Sequence, residues 1–396
     1  MACWKKRSVY ENHIKTWRRS LVRRILITGA GGFLGKNLVA HLSQREDVSL
    51  QLFGSENSND ELHDWVSTAD VIFHLAGVNR PENVEEFDTG NAGFTQTLVD
   101  AIKASGRKPH VIVSSSIQAA LDNPYGNSKR RGEQILQRFS EQTGAPVSIF
   151  RLKNLFGKWC RPNYNSVTAT FCHNLANDLP IEISNPEHQL DLAYVDDVVA
   201  AFIEEMETRP ERIDGMVDPD PVPSYQISLG DLASRIQFFR DMQQTQLLPD
   251  YSVLFNKQLY ATYLSYLPRD RWEYGPQKIH ADDRGNLAEL IKSPQFGQIF
   301  ISRTKPGITR GMHYHHTKTE KFMVVAGQGL IRFRHVDETE VIEISVRGED
   351  YRIVEIPPGY THSITNTGDT EMVTLFWVCE MLDLDRPDTY YVPVDV

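Results

Sequence analysis

Tyr125 and Lys129 stand four residues apart in YGNSK, a spacing that puts both side chains on one face of a helix. A phenol with a reference pKa of about 10 is a poor acid–base catalyst at neutral pH, and an ammonium group one turn away favours its ionised form. A serine hydroxyl nearby can polarise a carbonyl. The run HVIVSSS ends in Ser114, Ser115 and Ser116, with eight residues between Ser116 and Tyr125. These groups are equipped to move a proton to or from the oxygen of a carbonyl or an alcohol.

A second group is made of glycines. The apolar run RILIT leads into GAGGFLG, which spaces Gly29, Gly32 and Gly35 as GxxGxxG ahead of the helical stretch GKNLVAHL. A tight turn without side chains lets the backbone approach a pyrophosphate, whose charge then rests on the free N–H groups of a helix N-terminus. With a strand before it and a helix after it, the turn reads as a dinucleotide site.

A third group lies far downstream. GMHYHHTKTEKFMVVAG carries His313, His315 and Glu320, and PPGYTHSITN carries His362, giving the spacings HxHx4Ex6G and PxGxxHxxxN. Two histidines two apart on a strand share a face. A glutamate on the adjacent strand and a histidine from a later strand can converge on them, and the resulting N3O set suits Zn2+, Fe2+, Mn2+ or Ni2+. His316 points to the opposite face.

Two kinds of scaffold are needed to hold these groups. From Arg24, short apolar runs (RILITG, VSLQLF, VIFHLAG, HVIVSSS, PVSIFRL) alternate with amphipathic stretches, which predicts βαβ units and a Rossmann-like, doubly wound parallel sheet. From Ile279, many short apolar runs are separated by Gly, Pro, Asn and Asp, which predicts an all-β jelly-roll barrel. The expected domains are 22–272 and 273–396, with SLGDLASRIQFFRDMQQ and LFNKQLYATYLSYLP helical between them and open in their membership. Residues 1–21 form a basic extension, read as poorly ordered or as a helix that docks on a partner; it has no apolar stretch of the signal-peptide kind.

Composition narrows the functional classes. The 396 residues are 40% hydrophobic and 24% charged, which excludes disorder as a global description. With 52 acidic against 42 basic residues the net charge is −10, which argues against a nucleic-acid coat and an anionic-membrane binder. No run approaches the roughly 18 apolar residues of a membrane span. The 4 cysteines are scattered without a CxxC, which fits a reducing cytoplasm.

With TGAGGFLG, HLAG, the SSS strand end, YGNSK, RLKNLFG and YVDDV in this order, residues 22 to about 245 resemble the extended short-chain dehydrogenase/reductase family. That family works on nucleotide sugars with NAD(P). The resemblance implies cofactor contacts from Gly29, Gly32, Phe33, Leu34 and Gly35, from Ser55, and from Leu75, Ala76 and Gly77. It implies Tyr125 as proton donor or base, Lys129 as the residue that holds the ribose and tunes Tyr125, and Ser116 as the group that polarises the carbonyl. Asn154, Lys158, Arg161 and Asn165 follow the strand SIFRL, at the sheet edge where ligands bind, and are the candidates for UDP contacts. Gly54 and Ser55 stand where an NAD enzyme places an acid, with Glu56 one step on; NADPH is the expected cofactor.

The two histidine motifs look like the cupin superfamily. DDRGNLAEL followed by KPGITRGMHYH is also similar to its sugar-nucleotide 3,5-epimerase branch, in which the histidine of RGxHY, here His313, is the base. His313 is therefore a candidate ligand and a candidate base, roles that exclude each other. A reductase ahead of such a cupin resembles the bifunctional enzymes of capsular polysaccharide synthesis, on the path to UDP-N-acetyl-L-fucosamine. The likeness implies C3 epimerisation of a UDP-linked 4-keto-6-deoxy-N-acetylhexosamine, then NADPH reduction of its C4 ketone to UDP-2-acetamido-2,6-dideoxy-L-talose, by a cytoplasmic homodimer holding a divalent metal, Zn2+ first. The alternative is a UDP-sugar 4-epimerase or dehydratase whose cupin is a sensor or dimerisation module. Ile117, where a dehydratase usually carries an acid, weighs against the dehydratase.

Overall fold

Strand β1 (Arg23–Thr28) is buried over its last four residues and founds a sheet with β2 (Val48–Phe53), β3 (Val71–His74), β4 (His110–Ser116) and β5 (Val147–Leu152). The computed structural model describes residues 22–208, 222–273 and 279–395, so the basic extension over 1–21 lies outside the described residues. All pairings in this sheet are parallel, in the order β2-β1-β3-β4-β5. β3 is buried at every position, as a strand covered on both faces must be. Leu38, Leu42, Phe73, Phe150 and Phe202 pack on one face of the sheet, and Leu62, Leu98, Ile102, Leu136 and Phe139 on the other. The strand order reverses at β1, and the crevice outside the C-terminal ends of β1 and β3 is where open α/β sheets bind ligands. A small sheet of β6 (Asn154–Phe156), β7 (Gln189–Tyr194) and β8 (Ser224–Ser228) belongs to the same unit.

The second unit is antiparallel. One sheet has the order β16-β13-β18-β11-β10-β9, from β9 (Ile279–Asp282), β10 (Gly285–Ser293), β11 (Gly297–Thr304), β13 (Glu320–Ala326), β16 (Ile353–Ile356) and β18 (Met372–Val378). The other has the order β15-β14-β17-β12-β19, from β12 (Thr309–Tyr314), β14 (Gln328–His335), β15 (Val341–Arg347), β17 (Tyr360–Asn366) and β19 (Tyr390–Tyr391). Alternate residues of β13 and β14 are buried, and Phe322, Val324, Ile331, Phe333, Ile364 and Phe376 form the shared core.

The chain does not pass from one unit to the other at a single point such as residue 272. Residues up to Ile236 and Gln258–Tyr266 form the first unit, and Gln237–Lys257 joins Leu267 onward in the second. The early segment of the second unit is tied in by main-chain bonds, Leu248 N–H to the Lys292 carbonyl and Lys292 N–H to the Gln246 carbonyl, both 2.8 Å. Among the described residues no helix is long and apolar enough to cross a membrane.

Candidate active site and metal centre

The glycine turn after β1 has the shape its spacing predicts. Gly29 has φ +72°, and a side-chain carbon there would lie 2.6 Å from the Ala76 nitrogen; Gly35 lies directly against the Gly29 carbonyl. Gly32 caps the helix Phe33–Leu42 with no side-chain acceptor, so the N–H groups of its first turn are available to an anion. Beyond β2, the Glu56 carboxylate folds back over Gly54, an oxygen 2.5 Å from where a side-chain carbon would sit.

The eight residues between Ser116 and Tyr125 suffice because they form a single 3₁₀ turn, Ile117–Ala120, followed at once by the helix Pro124–Thr143. The Ser116 hydroxyl accepts from Gln118 N–H (3.2 Å), and Asn123 Oδ1 caps the helix by accepting from Gly126 N–H (2.8 Å). Gly126 rests on the Gln118 carbonyl, where no side chain fits. Tyr125 is thereby brought close to the Ser116 hydroxyl. Burial raises the Tyr125 pKa, and the nearby Ser116 hydroxyl only partly opposes it. Burial thus favours the protonated phenol, the state a proton donor needs.

Lys129 Nζ donates to the Ser114 carbonyl (3.0 Å), and burial lowers its pKa to about 8, with Glu133 opposing. Behind it the buried Glu133 accepts both arms of Arg151 (2.9 and 2.6 Å) and the Ser115 hydroxyl. Asn91, also buried, accepts from Val78 N–H (2.9 Å) and donates to Ser128 Oγ (2.9 Å). The sequence reading missed these three; their only signal is a carboxylate one turn after Lys129 and an arginine on the neighbouring strand.

A cleft of about 590 Å³ joins the two groups. Of the expected cofactor residues, Gly29, Gly32, Phe33, Leu34, Gly35, Leu75, Gly77, Tyr125 and Lys129 line it, as does Ser116; Ser55 and Ala76 do not. Of the expected UDP residues, Asn154, Arg161 and Asn165 line it. Lys158 does not: its ammonium is drawn to Asp196 (2.5 Å), which also takes His41 (2.9 Å). Trp159, unremarked in the sequence, lines the cleft with φ +69°, a conformation uncommon for a side chain of that size.

In the second unit, ligand atoms of His313, His315, Glu320 and His362 all lie within 4.8 Å of one another. His313 sits opposite His362 in the β12–β17 ladder. His315 lies past the end of β12, and Glu320 comes from β13 in the other sheet, so the adjacent-strand placement expected for the glutamate does not hold. His315 Nε2 and His362 Nε2 each stand 3.5 Å from a Glu320 oxygen, buried and without a hydrogen-bond partner. Burial lowers the His313 pKa to about 4, the neighbouring imidazoles adding to the effect, so its ring is neutral near pH 7. Orphaned ring nitrogens of two histidines, with a third imidazole beside them and a carboxylate between, fit a divalent cation.

Residues 25–214 match the NAD dependent epimerase/dehydratase family, and residues 280–390 the polysaccharide biosynthesis C-terminal domain. The first of these points to a nicotinamide cofactor. The UDP-2-acetamido-2,6-beta-L-arabino-hexul-4-ose reductase of Pseudomonas aeruginosa is 44% identical over 93% of this chain and 98% of its own. The chain belongs to the family of this reductase. The crystal structure of the capsular polysaccharide assembling protein CapF from Staphylococcus aureus covers 93% of this chain and 100% of its own, with a TM-score of 0.85 and 46% identity. The spore coat polysaccharide biosynthesis protein SpsL of Bacillus subtilis is 28% identical over 29% of this chain and 83% of its own.

Proposed function

We propose that the chain converts a UDP-linked 4-keto-6-deoxy-N-acetylhexosamine in two steps, C3 epimerisation in the second unit and reduction of the C4 ketone in the first, giving UDP-2-acetamido-2,6-dideoxy-L-talose for capsule sugar synthesis. The observation that carries this reading is the convergence of Ser116, Tyr125 and Lys129 on the cleft that the glycine turn also lines. NADPH held along Gly29–Gly35 would supply the hydride. Ser116 donates a hydrogen bond to the C4 oxygen as negative charge develops there, and Tyr125 delivers its proton to the same oxygen. Lys129, anchored on the Ser114 carbonyl, holds the ribose. Asn154, Arg161 and Asn165 take the UDP end.

The order of the steps follows from the carbonyl. A C4 ketone acidifies the C3 proton and an alcohol does not, so epimerisation comes first. We assign Zn2+ to His313, His315, Glu320 and His362; bound there, it would supply positive charge for an oxygen that gains charge when C3 is deprotonated. His313 used as a ligand is not the base. The free thiols of Cys160, Cys172 and Cys379 fit a reducing cytoplasm, and the likeness to the bifunctional enzymes implies a homodimer.

The test is NMR of the full chain in deuterated water with the 4-keto UDP-sugar and NADPH. Deuterium at C3 together with stoichiometric NADPH oxidation is expected. Oxidation without C3 exchange would leave the second unit as a sensor or dimerisation module, and C3 exchange without oxidation would remove the reductase.

A further inference from the structure

We propose that Asp388 is the positioning residue of the metal centre, fixing His315 with its main chain and the connection from His315 to Glu320 with its side chain. The inference rests on the reading that the His313–His315–Glu320–His362 cluster holds a divalent cation. His315 has no strand to hold it, since β12 ends at Tyr314. Its Nδ1 lies 2.6 Å from the main-chain oxygen of Asp388. A carbonyl only accepts, so Nδ1 carries the proton and the free lone pair is on Nε2, the buried nitrogen that faces Glu320 without a hydrogen bond.

The carboxylate of Asp388 is used in full. Oδ1 accepts from His316 N–H (3.0 Å), and Oδ2 accepts from Thr317 N–H (2.9 Å), Lys318 N–H (2.9 Å) and the Thr317 hydroxyl (3.0 Å). These three residues are most of the link between the two ligands. The buried Lys318 ammonium then returns to the Pro387 carbonyl and to Thr389 Oγ1 (2.9 Å), so the residues on both sides of Asp388 are held as well. Asp388 adopts φ +38°, in the range that Asp and Asn tolerate better than most residues. Just beyond it, Tyr391 pairs with His313, and Val392 N–H donates to the Met312 carbonyl (3.0 Å). The C-terminal segment thus reaches two ligands directly and orders the approach to a third. Groups that orient a metal-bound histidine in this way are worth about 10- to 100-fold in metal affinity.

The test measures Zn2+ affinity of the full chain by competition with a chromophoric chelator, alongside the melting temperature of the metal-free protein. Asp388→Gly keeps the backbone conformation accessible and removes the carboxylate; it is expected to weaken Zn2+ binding about 10- to 100-fold. Asp388→Asn keeps one acceptor and the left-handed preference, and its affinity should lie between that variant and wild type. A lowered metal-free melting temperature with Zn2+ affinity unchanged would mean that Asp388 only ties down the chain end, which overturns the proposal. Wild-type protein that binds no Zn2+ overturns the metal reading and this inference together.

Discussion

His313 and His362 are direct cross-strand partners in the β12–β17 ladder, their ring centroids 4.6 Å apart and their planes at 77°. The pairing depends on a bulge at Met312, whose φ of +64° adds a residue to β12 and turns His313 toward His362.

Replacing His362 with Ala removes one of the four converging atoms, and metal content by elemental analysis should fall to near zero. His316→Ala should keep its metal, because that ring packs on Tyr314 and Tyr390 and lies outside the cluster. Chelation should lower the melting temperature: at a free metal concentration about 1,000 times Kd, the folded state gains about 4 kcal/mol. Protein prepared without chelator that carries no metal would return His313 to the role of C3 base.

Tyr125→Phe should slow NADPH oxidation about 10²- to 10⁴-fold while C3 deuterium exchange continues, because the phenol is needed only to protonate the C4 oxygen. Oxidation near the wild-type rate would remove Tyr125 and Lys129 from the mechanism.

NADPH should exceed NADH in kcat/KM, and Glu56→Ala should widen the ratio. The Glu56 carboxylate stands over Gly54 at the end of β2, where an adenosine 2′-phosphate would have to displace it. A wild-type preference for NADH would instead give Glu56 the ribose hydroxyls.

His74 is buried between Thr28 Oγ1 and Thr95 Oγ1, both at 2.9 Å, and burial, with Lys129 nearby, lowers its pKa to about 3. The unfolded chain takes up that proton near the reference value of about 6.5. Stability is therefore complete above pH about 6.5 and is lost as pH falls toward 3, by up to a few kcal/mol. His74→Gln should flatten the fall in melting temperature between pH 7 and 5; an unchanged slope would assign the acid sensitivity elsewhere.

What could be read from the sequence was local or periodic. The parallel sheet is written in apolar runs buried on both faces, and Tyr125 with Lys129 in one helical turn. What depended on distant pairing could not be read. Glu133 meets Arg151 only because β5 lies beside β4, Lys158 is claimed by Asp196 from another segment, and Glu320 reaches the histidines from the facing sheet. Nothing in HxH spacing says that the second histidine is gripped from the last residues of the chain.

The repeated passage of the chain between its two units bears on the order in which they can form on the ribosome. Gln258–Tyr266 completes the first unit, yet it is made after Gln237–Lys257, which belongs to the second. The last stretch of the first unit is therefore synthesised after part of the second has emerged, and synthesis of the two is interleaved. A fragment beginning at residue 273 lacks the segment that bonds to Lys292, and its failure to fold alone would say nothing against the chemistry of the intact chain.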